Sequence, residues 1–98
     1  MGGVKERKEM LKQSIVVKNA SGLHLRPAGN LCKEALKYKS KISIIFGNRV
    51  TNAKSVLNVL GACIKKSDKI EIECKGKDEE EALSAIINLV ENGFGEIE

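Results

Sequence analysis

The sequence predicts an α+β domain, an open-faced β-sandwich in which three helices pack on one face of a four-stranded antiparallel sheet, in the order β-α-β-β-α-β-α. Three observations carry this expectation. Ile70, Ile72 and Cys74 alternate with Glu71, Glu73 and Lys75, the signature of a strand with one buried and one wet face. Ala28, Leu31, Cys32, Ala35 and Leu36 recur at helical spacing and give a single apolar stripe. The chain has 98 residues, 42% of them apolar and 31% charged, enough for one core and too few for two. Half-oily strands joined by amphipathic helices form an antiparallel sheet covered on one side, leaving the other side to solvent.

Residues Met1 to Glu9 are polar and glycine-started and read as a flexible extension or tag remnant, with Met10 able to serve as initiator and residues 10–98 forming the single domain. From Ser14 to Lys18 the run Ile15-Val16-Val17 predicts the first strand, closed by the turn-formers Asn19, Ser21 and Gly22. Pro27 fits the first turn of a helix, where a missing N–H costs nothing, and the apolar stripe then carries this helix to about Tyr38. Ile42, Ile44 and Phe46 form the next strand, and Gly47-Asn48 predicts a two-residue hairpin into Arg49-Val50-Thr51-Asn52. Ser55 precedes Val56, Leu57, Val59, Leu60, Cys63 and Ile64, whose spacing is helical, but Gly61 and the polar run from Lys65 keep this helix short. After the alternating strand, Asp78 reads as an N-cap with Glu81 three residues on, a start resembling a capping box. Ala82, Leu83, Ile86, Ile87 and Val90 form the face of the last helix, and Gly93 stops it.

Three cysteines without a C-x-x-C pair argue against a disulfide framework, and all three, Cys32, Cys63 and Cys74, fall on apolar stripes and read as buried thiols. One histidine and no clustered cysteines make a transition-metal site unexpected. The net charge of +4 admits an acidic partner. With only Tyr38, Phe46 and Phe94 as aromatics, and none interleaved in a basic strand, nucleic acid is not the expected one. No apolar stretch is long enough to span a membrane and no hydrophobic signal region opens the chain, so a cytoplasmic protein without direct membrane insertion is expected. No sustained heptad points to an oligomer.

The chemistry concentrates where the first strand gives way to the first helix, in Gly22-Leu23-His24-Leu25-Arg26-Pro27-Ala28. A helix start leaves backbone N–H groups unpaired and carries partial positive charge, which makes it an anion site. Imidazole, with an ordinary pKa of about 6.5, is mostly neutral near pH 7 and can attack phosphorus without a partner base. Arg26 adds a guanidinium able to fork onto phosphoryl oxygens.

This segment, followed by Lys54-Ser55-Val56-Leu57 and by Asp78-Glu79-Glu80-Glu81-Ala82-Leu83, closely resembles the HPr family, the histidine-containing phosphocarriers of the bacterial phosphoenolpyruvate:sugar phosphotransferase system, over residues from about Met10 onward. The resemblance implies that His24 accepts a phosphoryl group on Nδ1 from phosphorylated enzyme I and passes it to a sugar-specific component A. It implies that Arg26 lies beside that group, that the helix start at Leu25, Pro27 and Ala28 contacts it, and that no cofactor is required. The resemblance also implies a monomer with transient partners, a substrate of two transferases more than an enzyme. Ser55 matches the serine modified by an ATP-dependent HPr kinase/phosphorylase in the Gram-positive branch, where the phosphoserine form acts with the catabolite control protein. Val56, Leu57 and Leu60 match an exposed apolar docking patch, although the usual methionines are absent, and the stretch from Gly61 to Ser67 carries less glycine than many members have.

Plainer readings stand beside these. A lone histidine at a helix start can be a cap or a surface residue, Ser55 is a good N-cap whether or not a kinase sees it, and Arg26 can be a solvated charge. The rival functions are a regulatory HPr-like protein acting through phospho-Ser55 and, in another class, a small binding module for an anionic ligand or nucleic acid.

Overall fold

The computed structural model describes residues 10–95, so the expected extension Met1 to Glu9 lies outside the described residues. Among these the order is β1 (Leu11–Val16), α1 (Leu25–Ala35), β2 (Lys41–Phe46), β3 (Arg49–Asn52), α2 (Val56–Gly61), β4 (Lys69–Lys75) and α3 (Glu79–Glu91), followed by a short 3-10 turn at Gly93–Gly95. The four strands pair antiparallel in the order β1-β4-β2-β3. This is the expected α+β architecture, with the longest strand, β4, between β1 and β2.

Register explains the core. Ile15 pairs with Ile70, and Ile44 with Ile72, so the apolar sets of three strands reach the same face. There Ile42, Ile44, Ile70 and Ile72 are at most 1% exposed and meet Leu31 of α1 and Ile86 of α3. The opposite sheet face carries exposed Lys12, Ser14, Val50 and Lys75, as the alternation predicts. Ser43 is an exception, buried on that face between Asn52 and Glu73, its partners on the two flanking strands. In the β2–β3 hairpin only Gly47 takes a positive φ, +62°, the glycine-first arrangement of a two-residue type II′ turn.

Four local expectations are corrected. β1 begins at Leu11 and not at Ser14, because Leu11, Lys12 and Gln13 continue the ladder against Cys74, Glu73 and Ile72. α1 ends at Ala35, short of Tyr38, because the N–H groups of Lys37 and Tyr38 turn back to the carbonyls of Glu34 and Ala35; Leu36, still helical but at the edge of the apolar stripe, is 62% exposed. Cys63 is exposed, whereas Cys32 and Cys74 are buried. After Ala62 the chain turns left-handed, with φ +55° at Cys63, and leaves the helical phase that would have carried this thiol inward. Burial pushes the Cys74 thiol up to about 11, with Glu79, Asp78 and Glu73 acting in the same direction, so it stays protonated near neutral pH.

Asp78 occupies the N-cap position of α3 without capping it by its side chain. Its carboxylate accepts from the N–H groups of Lys39 and Ser40, both at 2.9 Å, and from the Ser40 hydroxyl, bracing the α1–β2 connection instead. Glu79 reaches back to the Gly76 N–H at 3.0 Å in the place expected of the Asp78 and Glu81 pair. Gly93 stops α3 as expected, and beyond it Phe94 turns back at φ +59° and is buried to 1%, its carbonyl accepting from Asn30 Nδ2 of α1 at 3.1 Å.

Candidate functional site at the start of the first helix

His24 is the N-cap of α1, with an extended backbone (φ −79°, ψ −167°) and a side chain that makes no capping hydrogen bond. The imidazole is exposed, as are Leu25 and Arg26, while Pro27 and Ala28 turn into the protein. The plain reading of His24 as a capping residue is thereby set aside, and the ring is left to solvent. The first i to i−4 bond of the helix runs from the Ala28 N–H to the His24 carbonyl at 2.8 Å. Pro27 has no N–H, so the helix-start donors without an intrahelical partner narrow to Leu25 and Arg26. Pro27 and Ala28 shape this end of the helix without offering it a backbone donor.

The loop that presents His24 rests on the segment before β4. The Leu23 N–H donates to the Ile64 carbonyl at 2.9 Å, and the Leu23 side chain is 2% exposed. Gly22 has φ +63°, and a Cβ there would lie 2.6 Å from the Ile64 oxygen and 2.7 Å from Lys65 Cα, so only glycine allows this approach. Asn19, which the sequence marks only as a turn residue, is 1% exposed and donates from Nδ2 to the Gly22 carbonyl at 2.8 Å and to Ser21 Oγ at 3.2 Å. Its place in a turn cluster ending in Gly22 was the available signal, but the pattern does not tell a buried brace from a solvated turn. The supporting segment contains two non-glycine residues at positive φ, Cys63 and Ser67, on either side of the Ile64 carbonyl.

A second helix start lies at Ser55, the N-cap of α2 (φ −123°, ψ 113°). Its Oγ accepts from the Asn58 N–H at 3.3 Å and from Asn58 Nδ2 at 3.0 Å, so the hydroxyl is a working cap and is half-exposed. Lys54 Nζ donates to the Tyr38 carbonyl at 2.7 Å and Cys32 Sγ to the Lys54 carbonyl at 3.1 Å, which ties the start of α2 to α1. Of the three apolar residues expected to form a patch here, Leu57 stands 81% exposed, whereas Val56 and Leu60 are half-buried against the core. The structure thus places the His24 and Ser55 segments at two separate helix starts joined through packed α1 and α2.

Among the described residues, no cluster of three or more His, Cys, Asp or Glu is assembled that could hold a metal ion. No described helix is long and apolar enough to cross a membrane.

Residues 11–92 match the family model described as the PTS HPr component phosphorylation site. The phosphocarrier protein HPr of Mycoplasma pneumoniae is 42% identical over 83 residues, covering 84% of this chain and 94% of that protein. The crystal structure of HPr-C-His from Thermoanaerobacter tengcongensis superposes with a TM-score of 0.86 at 34% identity, over 90% of this chain and 99% of that one. Crh, the Bacillus subtilis catabolite repression containing protein, matches with a TM-score of 0.66 at 27% identity, covering 82% of this chain and 92% of its own. With the expected architecture, an uncapped histidine at the start of α1 and a family match spanning nearly all described residues, the chain belongs to the HPr family of phosphocarriers of the phosphotransferase system.

Proposed function

We propose that His24 is the phosphoryl acceptor and donor of this carrier, taking the group from phosphorylated enzyme I and delivering it to a sugar-specific component A. The observation that carries this reading is the exposed His24 ring, unused as a cap, at a helix end where Leu25 and Arg26 keep N–H groups without intrahelical partners. In each transfer the lone pair of the neutral ring nitrogen attacks phosphorus as the bond from phosphorus to the donor breaks. The new P–N bond replaces the old one, and the group leaves again by the same exchange in reverse. Positioning and charge stabilisation suffice, since phosphoryl transfer asks little covalent chemistry of the protein. The helix-start N–H groups and the Arg26 guanidinium supply donors for the phosphoryl oxygens. Residues 10–98 form the carrier domain, acting as a cytoplasmic monomer with transient partners, and Leu57 leads the apolar contact with them, flanked by Val56 and Leu60.

A transfer assay tests this directly. Labelled phosphoenolpyruvate, enzyme I and a component A are combined with the wild-type chain or with His24→Ala. Label reaching component A only with the wild type supports the reading, and equal transfer by His24→Ala removes it.

A second role is favoured by the half-exposed Ser55 hydroxyl at the start of α2 and by the likeness to Crh. Phosphorylation of Ser55 by an ATP-dependent HPr kinase/phosphorylase adds roughly −1.5 to −2 charges at a helix N-terminus, favourable to the helix and repulsive toward an acidic docking surface. It would switch the chain from enzyme I toward a catabolite control protein. An ATP-dependent, acid-stable modification lost in Ser55→Ala supports this role, and its absence with a competent kinase removes it.

A further inference from the structure

The conformation of the His24 loop is held from two sides. On one side is the backbone of Ile64 and Lys65, against which Gly22 packs too closely to admit a Cβ and to which the Leu23 N–H is bonded. On the other is Asn19. A polar side chain that is 1% exposed must find its partners within the protein, and Asn19 has two of them in its own turn. Nδ2 donates to the buried Gly22 carbonyl at 2.8 Å and to Ser21 Oγ at 3.2 Å, while the Asn19 carbonyl accepts the Gly22 N–H at 3.1 Å. Both the backbone and the side chain of one residue therefore close the turn on Gly22, two residues before His24. The turn that ends α3 lies nearby: a Cβ added at Gly93 would come to 3.5 Å from Asn19 Cβ, an ordinary contact distance.

We propose that Asn19 is a positioning residue for phosphoryl transfer at His24, its buried amide fixing the turn that presents this residue at the start of α1. The inference rests on the reading of His24 as acceptor and deepens it. The His24 side chain makes no capping bond to hold itself in place, so where the residue stands relative to the Leu25 and Arg26 N–H groups depends on the backbone that leads into it at residues 22 and 23. An amide suits the task because it is neutral and carries two N–H donors for the Gly22 carbonyl and Ser21 Oγ. Alanine offers no donor, and aspartate would turn a carboxylate toward a carbonyl oxygen. A misplacement of about 1 Å in such a site costs transfer on the order of a hundredfold.

The test compares wild type, Asn19→Ala and Ile72→Val as acceptors from enzyme I charged with phosphoenolpyruvate, with kcat and KM measured for each chain as substrate. Ile72→Val is the control for stability, since it removes a methyl from the core of β4. The expected result is a kcat lower by roughly ten- to a hundredfold in Asn19→Ala at little-changed KM, with Ile72→Val transferring like the wild type. An Asn19→Ala chain that is folded and transfers at the wild-type rate overturns the inference while leaving the carrier reading intact. Slowing of the same size in Ile72→Val also overturns it, by assigning the loss to stability. A wild-type chain that accepts nothing overturns the carrier reading, and the inference falls with it. If Asn19→Ala does not fold, NMR on the wild type decides. Slow hydrogen exchange of the Asn19 side-chain amide and a scalar coupling across its bond to the Gly22 carbonyl support the inference, and a freely exchanging amide overturns it.

Discussion

Among single residues, the groups that do chemistry are distinct from those that shape the backbone. His24 and Arg26 are exposed and carry little of the fold, so His24→Ala should abolish phosphoryl acceptance and leave stability within about 0.5 kcal/mol, read by thermal denaturation. Arg26→Ala should retain acceptance but slow it by about a hundredfold, since the helix-start N–H groups do not replace a guanidinium; stopped transfer kinetics check this. Cys63 and Ser67 act in the opposite way. Their positive φ values, +55° and +77°, cost roughly 1–2 kcal/mol each for residues with a Cβ. Cys63→Gly and Ser67→Gly should each therefore raise the stability read from urea unfolding by about 0.5–1 kcal/mol once the extra entropy of glycine in the unfolded chain is set against the relief. The glycine-poor stretch noted in the sequence lies over the backbone segment that supports the His24 loop, so these substitutions also ask whether strain there affects transfer.

Helix starts are the elements on which function and stability meet. Three helices begin in three different ways: α1 with an uncapped histidine, α2 with a working serine cap, and α3 with an aspartate drawn away to another loop. Removing the Ser55 cap by Ser55→Ala should destabilise the domain by about 1 kcal/mol in chemical denaturation. Ser55→Asp keeps a good cap and adds charge, so it should hold the wild-type melting temperature while accepting more slowly from enzyme I. Asp78 gives a pH signature. The Ser40 hydroxyl and the Lys39 N–H hold its carboxyl at about 2, below the ordinary 3.8, so its contribution is fully present above that ordinary value. The contribution is lost as pH falls toward 2, and the acid limb of the stability curve should flatten in Asp78→Asn. None of these differences was visible as such in the sequence. Ser55 and Asp78 both read as N-caps, because a cap is legible from residue type, whereas a competing partner such as Ser40, 38 positions away, is known only once the chain is folded.

The whole molecule was the most legible level. Ile70, Ile72 and Cys74 alternate so strictly that β4, and with it a sheet buried on one face, follows from the period of the chain, and all three side chains are at most 1% exposed. The stripe of α1 is legible through Ala35 and fails at Leu36, which sits at its edge at the helix end. Cys63 fails for another reason, its own left-handed backbone, after which Ile64 is again buried. Phe94 was missed because a lone aromatic after a stop glycine has no period at all; its burial comes from the turn that folds it under α1. Of the site, the nucleophile and the guanidinium were legible as a motif at a helix start. Its support was not, because the Ile64 carbonyl and the Asn19 amide act through contacts that no spacing records. A truncation in the shared core, Ile72→Ala, should cost about 2–5 kcal/mol and lower the melting temperature without selectivity for the site, in contrast to His24→Ala.

The central claim is that His24 carries the phosphoryl group. The most direct measurement is the intact mass of the chain after incubation with enzyme I and phosphoenolpyruvate, before and after mild acid, beside His24→Ala treated identically. The account predicts one added phosphoryl group on the wild type, stable to alkali, removed by acid and absent from His24→Ala. No added mass, while another HPr in the same tube is charged, would contradict it, and so would a group that survives acid or persists in His24→Ala.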